Sequence, residues 1–275
     1  MIDMLRKRAS ILWESTMARQ TKGRIKDTKT KWERALIAAQ LSAYAYKSAG
    51  PAVSAAKKLG FTWAKLLSKG DAEVLIAKDR TDMFFAFRGT EPSKLNDVLA
   101  DLKVMQQTAL AGGKVHSGFK EEVDDLWMDI LAELESNDQL KVRKDVYFCG
   151  HSLGAAMATI ATTRYSKTEE LFTFGSPRVG GPKFIKNVTV PHMRFQNNND
   201  IITRIPPAWL GYRHHGAMIY FNSDGVVAPK ATWKDLFRGI INSWKRFKFF
   251  DGIVDHGIPN YVFAIKKIIK SENKK

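Results

Sequence analysis

The spacing of apolar and polar positions changes several times along this chain, and each change marks an element. From Trp32 onward, Leu36, Ala39, Ala43 and Tyr46 recur at intervals of three and four, which predicts an amphipathic helix. A second helix is predicted to follow, with Pro51 in its first turn and its end near Leu67. The period then shortens. Ala72–Ala77 and Met83–Phe87 are compact apolar runs on either side of the turn-like Lys78-Asp79-Arg80, the pattern of two strands. Ser93–Met105 and Ser117–Glu135 read as helices, the second carrying Phe119, Val123, Leu126, Trp127, Ile130 and Leu134 along one side. Strands are predicted at Val146–Cys149, Glu170–Phe174, Val190–Gln196 and Arg213–Phe221. Helices are predicted at Leu153–Tyr165, Thr232–Phe250 and Ile258–Ile269.

Short apolar strands alternating with helices imply an α/β fold, a mostly parallel central sheet with helices on both faces. A chain of 275 residues suits one large domain of this kind. With no repeat, low-complexity stretch or Pro/Gly linker, the expected organisation is a basic N-terminal arm over residues 1–31 and one domain over 32–275. The single cysteine, Cys149, excludes an internal disulfide framework and a cysteine-cluster metal site. Residues 1–24 lack the apolar core of a secretory signal, and no run of about 18 apolar residues marks a membrane span. A cytoplasmic setting is therefore the expectation.

Charge adds one asymmetry. The net charge is +16, yet residues 1–34 hold ten Lys/Arg against four acids and residues 228–275 hold eleven against four. A nearly neutral body between two basic ends suggests contact with an anionic surface, or simply solubility. Within the second basic end, Trp233, Leu236, Phe237, Ile240, Ile241, Trp244 and Phe247 recur at helical spacing. Thr232–Phe250 is accordingly either a core-facing helix or one that lies on an anionic membrane surface.

The chemistry concentrates in Gly150-His151-Ser152-Leu153-Gly154. Gly-x-Ser-x-Gly alone is weak, arising by chance in such a chain at a rate of roughly 0.1. Its setting is specific: a strand ends at Cys149 and an alanine-rich helix begins just after Ser152, which is where a nucleophile elbow stands. Side chains at Gly150 or Gly154 would collide with neighbouring elements, and the helix N-terminus would face Ser152. His151 reads as the variable position of the elbow, and His116 as a brace for the helix after it.

Several further motifs agree in order: Phe85-Ala86-Phe87-Arg88-Gly89-Thr90, Val115-His116-Ser117-Gly118-Phe119, the elbow, Thr173-Phe174-Gly175-Ser176-Pro177-Arg178-Val179-Gly180, Asn199-Asp200-Ile201-Ile202-Thr203-Arg204-Ile205-Pro206-Pro207, and Tyr212-Arg213-His214-His215-Gly216. With them the chain resembles the class 3 lipases of the α/β-hydrolase fold. The resemblance spans about residues 32–265. It implies an oxyanion loop at Thr90 and a lid at Glu91–Leu99, here short and polar.

A serine hydroxyl needs a base to take its proton, and the base needs an orienting carboxylate. In this fold their chain order is Ser, acid, His. Asp200 follows the strand near Val190–Gln196 and matches the family's acid position; the competing reading is an Asx-turn after three asparagines. His214, His215 and His256 compete as base. The first two fall in a predicted strand, whereas His256 sits in a loop before Gly257 and, by resemblance, in a His-x-x-x-x-Tyr pattern ending at Tyr261. The catalytic expectation is Ser152, Asp200 and His256, with the backbone N–H groups of Thr90 and Leu153 as oxyanion donors.

No cofactor fingerprint or metal-ligand spacing is present, so neither a cofactor nor a metal is expected. The leading expectation is a serine hydrolase of lipid esters, triacylglycerol-type, acting through an acyl-enzyme. Its alternatives are phospholipase A1-like or short-chain esterase activity, or a non-catalytic basic module on membrane or nucleic acid. No nucleic-acid motif supports the last.

Overall fold

A computed structural model describes residues 29–90, 105–140, 143–222, 225–228 and 255–273. The arm expected over 1–31, the helix and lid position beginning at Ser93 and Glu91, and the Thr232–Phe250 segment lie almost wholly outside the described residues. In chain order the strands are β1 (Trp63–Lys69), β2 (Ala72–Lys78), β3 (Asp82–Phe87), β4 (Gln106–Thr108), β5 (Lys114–His116), β6 (Asp145–His151), β7 (Thr168–Phe174), β8 (His192–Asn197), β9 (Ala217–Phe221) and β10 (Val227–Ala228). The helices are α1 (Lys31–Tyr44), α2 (Ala49–Lys58), α3 (Ser117–Asp138), α4 (Leu153–Thr162), α5 (Pro182–Asn187) and α6 (Ile258–Glu272).

One sheet runs β1-β2-β3-β6-β7-β8-β9-β10, with β4 and β5 forming a separate hairpin. Its centre, from β3 to β9, is parallel throughout. Its two margins are antiparallel. Central strands buried on both faces must be apolar on both faces, and β3 is buried along its whole length. The pairing of β3 with β6 sets Phe84 against Tyr147 and Phe85 against Phe148, one stack on each face, with ring centroids 4.7 and 5.0 Å apart. One core lies under α3 and α4, around Phe85, Phe148, Leu126 and Met157. The other lies under α1, α2 and α6, around Phe84, Phe174, Phe195 and Tyr261. The α/β-hydrolase arrangement expected from the sequence is therefore the observed one.

Helix α1 starts on a capping box: Thr30 accepts from the Glu33 N–H, and Glu33 reaches back to the Thr30 N–H. Two expected boundaries need correction. The second helix stops at Lys58, and Trp63–Lys69 is a strand instead. Gly60 takes φ +101° after the helix, and Gly70-Asp71 closes a two-residue hairpin between Lys69 and Ala72. That dipeptide is itself a hairpin signal. The strand expected from Arg213 begins only at Ala217, because Gly216 turns the chain at φ +82°. Among the described residues, no helix is long and apolar enough to cross a membrane.

Candidate active site

Four parallel strands end at one edge of the sheet and deliver one piece of the site each, as the crevice at the carboxyl ends of α/β strands requires. β3 delivers Gly89 and Thr90, β6 delivers Ser152, β7 delivers Gly175, and β8 delivers Asp200. His256 comes from the segment just before α6.

Ser152 lies between the last residue of β6 and the first of α4, with φ +59° and ψ −131°. A non-glycine residue held at positive φ costs on the order of 1–3 kcal/mol and persists only where its surroundings dictate it. Here the two glycines of the elbow dictate it. A β-carbon on Gly150 would stand 2.3 Å from the Gly154 carbonyl oxygen, and one on Gly154 would stand 2.2 Å from the Phe87 carbonyl oxygen. The turn is closed by the Ser152 N–H donating to the Phe174 carbonyl at 3.0 Å. Leu153 opens α4, so its N–H falls in the first turn, where the helix itself supplies no acceptor. Gly89 approaches from the other side: a β-carbon there would lie 3.0 Å from Cβ of Ser152. The Gly89 backbone thus borders Ser152.

Asp200 is fully buried. The His256 Nδ1–H donates to its two carboxylate oxygens at 3.0 and 2.9 Å. Tyr261 donates its hydroxyl to the same carboxylate, and the Ile202 N–H donates to it at 2.9 Å. One carboxylate therefore both closes an Asx-turn with Ile202 and accepts from His256. The proton on Nδ1 leaves Nε2 of His256 as the bare, basic nitrogen. That Nε2 and Oγ of Ser152 are both buried and find no hydrogen-bond partner among the described residues. The two atoms between which a proton would pass are thus both among the buried atoms left unsatisfied.

The run of asparagines has a purpose that its composition did not disclose. Asn197 donates from its amide to the Asp255 carbonyl at 2.9 Å, and Asn198 to the Asp255 carboxylate at 2.9 Å. The end of β8 thereby holds the residue before His256. Asn198 takes φ 35°, a conformation asparagine tolerates better than most residues.

The competing histidines stand elsewhere. His214 donates from Nε2 to the Thr203 carbonyl at 2.8 Å, and burial, followed by the Arg194 charge, pulls its pKa down to about 3. His215 shares a contact of 3.0 Å with His192. Neither is bonded to Asp200. His116 sits at the start of α3 with its ring stacked 4.2 Å from Phe119, in keeping with a bracing role. His151 is more than a variable elbow position. Its ring is buried, bonded on both nitrogens, and inclined over His256 with centroids 4.4 Å apart.

Residues that sequence reading did not single out are Tyr46, Gly175 and Asp255. Tyr46 falls on a helical apolar spacing and reads as core. Gly175 is visible only as part of a longer motif. A cavity of about 310 Å³ near the start of β7 and the end of α4, lined by Arg143, Thr162 and Tyr165, touches none of Ser152, Asp200 or His256. Among the described residues, no group of His, Cys, Asp and Glu has the arrangement of a metal site.

Residues 84–209 match the family described as Lipase (class 3). The chain is 28% identical over 188 residues to a lipase of Rhizomucor miehei, covering 64% of this chain and 51% of that protein. It is 27% identical over 224 residues to a secreted mono- and diacylglycerol lipase of Malassezia globosa, covering 69% and 74%. The chain thus spans about half the length of the Rhizomucor lipase and of a Rhizopus niveus lipase it also matches. Its fold superposes on a Penicillium cyclopium MDLA variant with a TM-score of 0.63 at 24% identity, covering 74% of this chain and 85% of that one. At that identity the superposition carries the fold alone.

Proposed function

We propose that this chain, whose residues 84–209 match the class 3 lipase family, hydrolyses carboxylic esters of acylglycerols through a serine acyl-enzyme. The observation that carries the reading is the buried Asp200–His256 pair set beside a positive-φ serine at a strand-to-helix turn. Ser152 Oγ attacks the ester carbonyl while Nε2 of His256 takes its proton. Asp200 keeps the imidazole in the Nδ1–H tautomer and stabilises the imidazolium that forms. The charge developing on the carbonyl oxygen is met by the N–H groups of Leu153 and Thr90. His256 then returns the proton to the leaving glycerol oxygen. Water repeats the sequence on the acyl-enzyme and frees the fatty acid. Resemblance to a mono- and diacylglycerol lipase supports acylglycerols as the substrate class.

The test is a substrate panel with purified protein: mono-, di- and triacylglycerols, phosphatidylglycerol, and nitrophenyl esters of graded chain length, each run beside Ser152→Ala. Acylglycerol turnover that Ser152→Ala abolishes is the expected result. Hydrolysis confined to phospholipid or to the shortest nitrophenyl esters overturns the substrate class, and turnover retained by Ser152→Ala overturns the chemistry.

A further inference from the structure

The histidine inside the elbow, His151, is tied to the base 105 residues later. One of its ring nitrogens, Nε2, lies 2.7 Å from the backbone carbonyl oxygen of His256. A carbonyl only accepts, so that nitrogen carries the proton, and in a neutral ring Nδ1 must then be bare. Nδ1 lies 2.8 Å from the hydroxyl of Tyr46, which therefore donates to it. The Tyr46 oxygen keeps lone pairs to accept with, and the Gly89 backbone packs closely against that same oxygen. Each donor here meets an acceptor, in one direction: Tyr46 O–H to His151, His151 N–H to the His256 carbonyl. The arrangement holds only while His151 is neutral, and burial, followed by the neighbouring His256 ring, keeps its pKa well below the usual range.

We propose that Tyr46 and His151 are positioning residues, which hold the oxyanion loop at Gly89–Thr90 and the base His256 in fixed register across Ser152. This rests on the hydrolase reading above and deepens it. The three parts that must converge on one carbonyl come from β3, from β6 and from the segment before α6, and no strand pairing joins the first to the last. The Tyr46–His151 pair supplies that join. Two close approaches back it up. A β-carbon on Gly89 would lie 2.5 Å from the Tyr46 hydroxyl and 2.6 Å from the His151 carbonyl oxygen, so the loop can sit against the pair only as glycine. The His151 ring also lies over that of His256, inclined 32° with centroids 4.4 Å apart, so the two rings pack directly on each other. Neither residue touches the reacting atoms in this account, and both act through where they put other groups.

The variants are Tyr46→Phe, His151→Phe, the double variant, and His151→Gln, whose amide can reproduce the donor at Nε2. They are assayed on a soluble nitrophenyl ester, with Ser152→Ala as control, and their thermal stability is measured alongside. The positioning role predicts that His151→Phe loses ~10²-fold in kcat with KM within about twofold, the scale expected from misplacing a reacting group by about 1 Å. His151→Gln recovers at least about tenfold of that loss. The double variant is no worse than His151→Phe alone, because one cut already breaks the chain. A His151→Phe protein that folds and turns over within about twofold of the parent, while Ser152→Ala is inactive, overturns the proposal and leaves the hydrolase reading standing. Should His151→Phe not fold, Tyr46→Phe decides the matter: an unchanged kcat overturns the proposal, and a tenfold fall at constant KM upholds it. Activity in Ser152→Ala instead rejects the hydrolase reading itself.

Discussion

A β-carbon added to Gly175 would stand 2.6 Å from Oδ2 of Asp200 and 2.8 Å from Nδ1 of His256. The end of β7 is therefore the floor on which acid and base meet, and its backbone, at φ +59°, suits glycine for a second reason. Gly175→Ala is expected to fold, to lose some thermal stability, and to lose ~10²-fold or more in kcat because the carboxylate and imidazole are pushed apart. Steady-state kinetics beside a melting curve checks this. Normal turnover would mean that the loop yields without moving the pair.

Tyr261 tests the acid from its other side. Its hydroxyl donates to Asp200 and accepts the Asn197 N–H at 3.1 Å, while its ring packs on Phe174 and Phe221. Tyr261→Phe keeps the packing and removes only the bonds. A hydrogen bond to a charged group is worth about 1.5–3 kcal/mol, so kcat is expected to fall ~10-fold with a lowered melting temperature. Turnover unchanged at full stability would show that His256 and Ile202 suffice to hold the carboxylate.

The base is distinguished by three single variants. His256→Ala is expected to match Ser152→Ala, with a loss of at least ~10³-fold in turnover, because a triad acts as a unit. His214→Ala and His215→Ala are expected to change stability and leave turnover within about threefold, since both rings bond to partners away from Asp200. Inactive His214→Ala beside active His256→Ala would move the base.

What could be read from the sequence, and what could not, divides along physical lines. The Gly-x-Ser-x-Gly turn, Asp200 and His256 were legible as candidates because each stands beside an element whose period is visible. The central strands were legible because burial on both faces leaves an unmistakable apolar run, as in Met83–Phe87. β1 was not: only one of its seven residues is buried, so its pattern carried little of the signal that Gly70-Asp71 alone announced. The contacts of Tyr46 and His151 were not legible for a different reason. A half-buried tyrosine on a helical spacing looks the same whether its hydroxyl is idle or bonded to a distant histidine. Their partners lie up to 105 residues apart, and no spacing records that.

Away from the site, one carboxyl group should make stability depend on pH. Burial, and then the neighbouring charges of Asp71 and Asp125, raise the Glu122 pKa from 4.5 to about 7. A group raised on folding contributes stability that is present below its unfolded pKa and is lost as pH rises through the folded one. Glu122→Gln is therefore expected to melt above the parent at pH 8 and to lose that advantage near pH 4. Thermal unfolding at the two pH values reads it directly, and an advantage independent of pH would remove charge as the cause.

The central claim is that Ser152 is a nucleophile activated by His256, and a nitrophenyl alkylphosphonate tests it most directly. The intact protein, mixed with excess reagent, should release one equivalent of nitrophenolate per chain, and peptide mass analysis should find the phosphonyl group on Ser152. His256→Ala should react at least ~10³-fold more slowly. Labelling at another residue, or an undiminished rate in His256→Ala, would contradict the account.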